Sequence, residues 1–158
     1  MEKIKYFHGV EYSAVLFDLV MDKLFQLISG CDNVAETKNK KQELIVLLEN
    51  MYSVTVDFRD ALRSGNQSKF NTALASTVSY MQNIYSYYEK NSYSEQALSQ
   101  IALGICNQFN VFVPLYNEFS NNNDRMSKSA QQVAQRAEFE FNKLVSLILK
   151  SLNELKQH

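Results

Sequence analysis

Apolar residues recur at intervals of three and four along most of the chain, which is the period at which side chains share one face of an α-helix. Pro occurs once and Gly four times, so the sequence lacks the frequent turns of sandwiches and barrels. The pattern therefore predicts an all-α protein with five helices, over about 12–29, 33–63, 68–89, from Ser92 or Ser94 to about 119, and 125–156.

The ends of the predicted helices carry residues that favour helix starts and stops. Gly65 follows the second helix, and glycine commonly ends helices because it adopts a left-handed backbone. Asn33 with Glu36, and Ser92 with Glu95, have the three-residue spacing of a reciprocal N-terminal cap. We expect these pairs to open the second and fourth helices.

The predicted lengths and connections determine the expected architecture. The second and fifth helices would each be about 45 Å long at about 1.5 Å per residue. Rods of that length, joined by loops of about three to seven residues, must fold back beside one another. We predict an antiparallel up-and-down bundle of four long helices plus a shorter N-terminal helix, forming a single domain over 1–158.

The charge balance argues against polyanionic partners. The chain has 16 basic and 17 acidic residues, for a net charge of −1. A protein that binds nucleic acid or an anionic membrane surface usually carries excess positive charge, so neither partner is predicted.

The first residues of the chain mix acids and bases, which is not typical of a signal peptide. No apolar run approaches the roughly 18 residues that a membrane-spanning helix requires. A cytoplasmic location, with Cys31 and Cys106 as reduced thiols, follows as an expectation.

The sequence carries none of the common catalytic or metal-binding patterns. His8 and His158 are the two histidines, and no Glu-x-x-His pair or glycine-rich phosphate loop is present. Glu140 falls on the core side of its helix, where we expect an ion pair with Arg136. The sequence predicts no catalytic residue, no metal ligand and no cofactor, and hence a protein that is not an enzyme.

Some apolar residues lie opposite the apolar stripe of their own helix. At about 100° per residue, Leu103 lies about 160° from Ile105, and Phe139 and Leu149 lie about 140° from Leu144 on opposite sides of it. A bundle helix needs one apolar stripe to reach the core. We therefore expect Leu103, Phe139 and Leu149 to face outward.

Tyrosines and small polar residues dominate the middle of the chain. Tyr80 and Tyr87 lie about 120° to 140° from Leu74, which places them on a predicted surface stripe, and Tyr93 lies at the corner between two helices. Four charged residues occur over 64–117, namely Lys69, Glu89, Lys90 and Glu95. Aromatic area with few charges to desolvate is typical of protein interfaces.

Three functional hypotheses follow, one of which is a purely structural homo-oligomer that shares the exposed surface. The first is a non-enzymatic protein–protein interaction module, such as an inhibitor, an immunity-type protein or an adaptor, which binds another protein or itself as a homo-oligomer. Its predicted interface consists of Tyr80, Tyr87, Tyr93, Leu103, Phe139 and Leu149.

The alternative hypothesis is a small-molecule-binding or enzymatic bundle. Pro114 lacks the amide that would bond the carbonyl of Asn110, so we expect a kink or a break in its helix. Such a disturbance would open a pocket among Phe109, Phe112 and Tyr116.

Overall fold

The computed structural model describes residues 35–122, 124 and 127–157. The predicted N-terminal helix over 12–29, and Asn33 of the predicted cap, lie outside the described residues. Within the described part the chain is all-helical, with no strand. The four helices are α1 (Ala35–Ser64), α2 (Gln67–Asn91), α3 (Gln96–Ser120) and α4 (Lys128–Gln157).

The connection between α1 and α2 follows the prediction. Gly65 has φ of +69°, the left-handed conformation that glycine adopts at low cost. The next residue, Asn66, caps α2 because its side-chain oxygen accepts a hydrogen bond of 3.1 Å from the amide of Lys69. The helix stop at Gly65 is confirmed.

The predicted cap of α3 is wrong. Glu95 is the N-cap residue of α3 and makes no side-chain capping hydrogen bond. Ser92 instead ends α2, and its hydroxyl donates to the carbonyl of Glu89. The reason is that α2 extends to Asn91, so Ser92 serves the carbonyls at the end of one helix rather than the amides at the start of the next.

All four helices contribute to one hydrophobic core, so the chain forms a helical bundle. Its centre is a cluster of aromatic rings in which Phe141 of α4 lies 5.0 Å, centroid to centroid, from both Phe58 and Phe112. The cluster consists of Phe58, Phe70, Phe109, Phe112, Tyr116 and Phe141. Large side chains that exclude water from the interior supply most of the free energy that holds such helices together.

Each helix packs against two neighbours. α1 contacts α2 and α4, and α3 contacts the same two helices from the other side. Two exposed ion pairs join α1 to α4: Arg63 with Glu138 at 3.0 Å, and Glu49 with Lys156 at 3.3 Å. Exposed pairs of this kind each contribute at most about 1 kcal/mol, so the core rather than the ion pairs determines stability.

α3 is the most deeply buried helix. It continues through Pro114 without a break, and Pro114 itself is exposed on the outer side of the helix. Among the described helices it is the one long and apolar enough to cross a membrane, and 72% of its most apolar stretch is buried inside the protein. No break therefore opens the fold at Pro114.

Candidate interaction surface

The six residues predicted to form one interface lie on different sides of the bundle. Phe139, Leu149 and Tyr93 are exposed, Tyr80 is half-buried, and Tyr87 and Leu103 are buried. The structure therefore divides the predicted surface into separate regions.

The prediction that Tyr87 faces outward is wrong. Its side chain is 2% exposed, and its hydroxyl donates a hydrogen bond of 2.8 Å to the backbone carbonyl of Lys40 in α1. Burial raises the pKa of Tyr87 well above its ordinary value, with smaller contributions from Glu43 and Glu95. A position about 140° from the stripe of its own helix meets the neighbouring helix, because every helix of the bundle has a neighbour on each side. Tyr80, seven residues earlier, packs partly against the core.

The prediction that Leu103 faces outward is also wrong, since its side chain is 6% exposed. Every residue from Ile101 to Phe109 is buried, so this half of α3 is covered on all sides. A helix that is apolar and buried all round cannot be divided into an inner and an outer face from its own sequence.

Tyr93 lies in the connection between α2 and α3 and is 94% exposed. The neighbouring Ser94 is also exposed, and Ser92 is half-buried. The phenol of Tyr93 therefore presents almost all of its surface to solvent at one end of the bundle.

The outward side of α4 carries two exposed apolar side chains. Phe139 is 60% exposed and Leu149 is 40% exposed. Asn142 and Ser146 lie between them, so the four residues are spaced at intervals of three, four and three. That spacing places them in one row along the helix, as in the seam of a coiled coil. We call Phe139, Asn142, Ser146 and Leu149 the α4 outer row.

The α4 outer row contains no charged residue, and two of the charged residues beside it, Lys143 and Glu138, have partners within the protein. The Lys143 ammonium lies 5.3 Å from the ring centroid of Phe139 and 3.8 Å from the carboxylate of Glu140. On the opposite edge of α4, Glu138 pairs with Arg63. A partner that covered the row would therefore leave these ion pairs in place.

The partners of Glu140 differ from the expected Arg136. The side-chain amide of Gln108 in α3 donates to both the backbone carbonyl and the carboxylate of Glu140, each at 2.9 Å. The Lys143 ammonium lies 3.8 Å from the same carboxylate. The carboxylate faces the seam with α3 and links two helices, so its contacts are structural.

An open groove of about 590 Å³ runs between α1 and α2. Val54 and Ala73 form part of its wall, and Asp57, Asp60 and Lys69 bring charge to it. The residues that line the groove belong to α1 and α2 or lie at the connection between them, so it lies away from the α4 outer row.

Reactive groups are scarce in the part of the chain that the structure describes. No three His, Cys, Asp or Glu side chains come together there as a metal ion would require. Cys106 is a free thiol in the core, and burial raises its pKa to about 12. A thiol of that pKa is almost entirely protonated at neutral pH and is therefore a poor nucleophile.

Asn142 and Ser146 were not among the predicted site residues. The signal that would have revealed them is the spacing of Phe139 and Leu149, which lie ten residues apart and enclose two small polar residues on the same side of α4.

A search of family models, of curated proteins and of solved structures found no match to this chain.

Proposed function

We propose that the protein is a non-enzymatic interaction module that binds another protein or a second copy of itself through the α4 outer row. The observation that carries this proposal is the exposure of Phe139 and Leu149 on the outward side of α4, in a row whose two other residues, Asn142 and Ser146, are uncharged. Exposed apolar side chains that share a surface commonly mark interaction sites.

The composition of the row favours association on energetic grounds. Full burial of an apolar side chain such as Phe139 or Leu149 contributes about 1.5–3 kcal/mol to the binding free energy. Because each side chain is already partly covered, its contribution here is smaller. Ser146 is exposed and uncharged, so a partner would desolvate it at lower cost than a charged residue, and the side-chain oxygen of Asn142 is already buried. Phe139 is the natural anchor of such an interface because aromatic residues dominate binding energies.

We propose an inhibitor, an immunity-type protein or an adaptor as the biological role, with a cytoplasmic location. A protein of this kind requires a stable scaffold and a complementary surface, and it requires no catalytic group. Neither nucleic acid nor membrane lipid is proposed as a partner, because the net charge is −1. Homo-oligomerisation through the row is the simplest form of the proposal.

We further propose that neighbouring helices run antiparallel, in up-and-down order. Lys40 near the start of α1 contacts Tyr87 near the end of α2, and Phe58 near the end of α1 contacts Phe70 near the start of α2. The short connection between the two helices supports the same order.

The alternative pocket near Pro114 has weaker support. Phe109, Phe112 and Tyr116, which that hypothesis places around a pocket, pack ring against ring, with adjacent centroids 5.7 and 6.0 Å apart. Side chains that fill the interior in this way favour a scaffold role over a ligand-binding role.

Affinity capture tests the proposal. The tagged chain would be expressed in the cell of its origin and compared with a variant carrying Phe139→Ser and Leu149→Ser. We expect the double variant to lose at least ten-fold of whichever stoichiometric protein the unaltered chain recovers, including the untagged chain itself.

The matched control is Val46→Ser with Val111→Ser, which removes two exposed apolar side chains from α1 and α3. We expect this control to retain its partner. Equal recovery by the Phe139→Ser, Leu149→Ser variant would contradict the proposal.

A further inference from the structure

Basic residues run beside the α4 outer row with the same seven-residue period as the row itself. Arg136, Lys143 and Lys150 lie seven residues apart, and all three are exposed. At about 100° per residue, each of them lies about 40° to 60° from the nearest of Phe139 and Ser146. In a heptad these are the flanking positions, whose charges select the partner of a coiled coil. We call Arg136, Lys143 and Lys150 the basic edge.

The basic edge lies on the side of α4 that faces α3. Glu140, which is bonded to Gln108 of α3, lies on this side of the helix, and Glu154 lies near its C-terminal end. α3 itself carries no charged residue over 96–117, so it does not neutralise the edge. Positive charge is therefore in excess here, and it is concentrated around Phe139.

Arg136 is the residue of the basic edge best placed to meet a partner. It is exposed and has no hydrogen bond or ion pair among the described residues. Lys143 lies 3.8 Å from Glu140, and Lys150 also has a contact within the chain. Arg136 lies about one helical turn from Phe139, and arginine and aromatic side chains are enriched where binding energy is concentrated. A guanidinium also binds a carboxylate through two parallel hydrogen bonds.

The opposite edge of the α4 outer row is closed by the bundle itself. Glu138, Val145 and Leu152 occupy the equivalent flanking positions on that edge. Val145 and Leu152 are buried in the core, and Glu138 pairs with Arg63 of α1. A partner that covers the row therefore meets charge mainly along the basic edge.

A second copy of the chain does not supply the matching negative charge. In a two-fold dimer with antiparallel α4 helices, the two basic edges face each other, because such an interface repeats the same patch on both subunits. In a parallel pair, the basic edge faces the edge at which Val145 and Leu152 are buried. Like charges across an interface disfavour association. Although a second copy is the simplest partner, the charge pattern favours a different protein.

We propose that the α4 outer row binds an acidic amphipathic helix of a different protein. Apolar side chains of that helix cover Phe139 and Leu149, and its Asp or Glu residues, spaced seven apart, face the basic edge. The edge is about 21 Å long at about 1.5 Å per residue, so the partner helix needs about four turns. This inference rests on the proposed function of the row and adds the chemistry of the partner.

Two synthetic helical peptides test the chemistry of the partner. Each has about three heptads with Leu at the seam positions, and the flanking positions carry Glu in one peptide and Lys in the other. Binding of each fluorescently labelled peptide to the full chain is measured by anisotropy at low ionic strength, at a peptide concentration where the peptide is monomeric. We expect the Glu peptide to bind at least ten-fold more tightly. The difference should shrink as salt is added, because salt screens exposed charge pairs.

Charge reversal shows whether the basic edge is responsible. Arg136→Glu with Lys143→Glu should abolish the preference for the Glu peptide. The matched control is Lys69→Glu with Lys90→Glu, which makes the same change in net charge at exposed positions of α2 and should keep the preference. If reversal lowers the helical signal in circular dichroism, Arg136→Gln with Lys143→Gln replaces it and should reduce the preference at least three-fold.

The variant Phe139→Ser with Leu149→Ser separates this inference from the proposed function. If both peptides bind the unaltered chain equally and this variant loses both, the row is an interaction surface whose partner is not acidic, and the inference alone fails. Binding of neither peptide would also overturn the inference, and affinity capture then decides the proposed function independently. Phosphatidylserine vesicles that displace the Glu peptide would assign the basic edge to a membrane and overturn the inference as well.

Discussion

Asn107 has a polar side chain whose oxygen and nitrogen are buried without a hydrogen bond in the described part of the chain. A buried amide without partners costs about 1–3 kcal/mol, and removing it can stabilise a protein. We expect Asn107→Leu to raise the free energy of unfolding in urea by about 1 kcal/mol.

The control for this prediction is Asn83→Leu on the exposed side of α2. An exposed amide is solvated by water, so its replacement should change the free energy of unfolding by less than about 0.5 kcal/mol. A loss of stability in Asn107→Leu larger than in Asn83→Leu would mean that the amide has a partner.

Tyr87 makes the free energy of unfolding depend on pH in the alkaline range. Its pKa is raised above the ordinary value of 10.0 because its ring is buried, so the folded chain holds the proton more tightly than the unfolded chain. Its contribution to stability is complete below pH 10 and declines as the pH rises further, since the unfolded phenol then ionises. Tyr87→Phe should cost about 0.5–1.5 kcal/mol at neutral pH through loss of the bond to Lys40.

Urea unfolding of the unaltered chain and Tyr87→Phe, at neutral pH and at about pH 11, measures this dependence. The stability difference between the two proteins should shrink at the higher pH. Tyr93→Phe removes a hydroxyl from an exposed ring and should show no such change. A difference for Tyr87→Phe that is the same at both pH values would contradict the assignment.

At the residue scale, the helical projection predicted exposure for some residues and failed for others. It succeeded for Phe139 and Leu149, because the outward side of α4 has no described helix over it. It failed for Tyr87, which meets α1, and for Leu103, which lies on a helix covered all round. A projection gives the direction of a side chain within its own helix and carries no information about what lies beyond.

The connection between α1 and α2 depends on the backbone of Gly65. A Cβ atom there would meet nothing within 4 Å, so its cost is purely conformational. The left-handed conformation costs other residues about 1–2 kcal/mol, and Asn tolerates it best. Gly65→Ala should therefore lower the free energy of unfolding by about 1 kcal/mol, and Gly65→Asn by less.

Thermal and urea unfolding of the two Gly65 variants checks this order. Because neither side chain would meet a neighbour, a difference between Ala and Asn reports the backbone alone. Equal stability of Gly65→Ala and the unaltered chain would show that the turn adopts another conformation without cost.

At the scale of the element, periodicity predicted the positions of α1 to α4 to within a few residues. Those helices are long, so many apolar residues contribute to each signal. The start of α3 was predicted less well, because Ser92 has the chemistry to serve either the end of one helix or the start of the next. Pro114 was expected to kink or break α3, and the helix continues through it without a break.

At the scale of the molecule, the all-helical bundle was predictable from composition and apolar spacing. The location of the uncovered surface was not, because it depends on which helices are neighbours. Four described helices enclose the aromatic cluster, and α4 keeps Phe139 and Leu149 in solvent. We propose that another protein, or a second copy of the chain, covers this side of α4.

Labelling at Ser146, in the middle of the α4 outer row, tests that claim most directly. Ser146→Cys in a Cys31→Ser background would be labelled with a membrane-permeant maleimide in the cell of origin and, separately, as dilute purified protein. Ser53→Cys, on the exposed side of α1, is the matched control. We predict that Cys at 146 reacts at least ten-fold more slowly in the cell after correction by the control. Equal corrected rates would contradict the claim, because the row would then remain open to solvent where the protein acts.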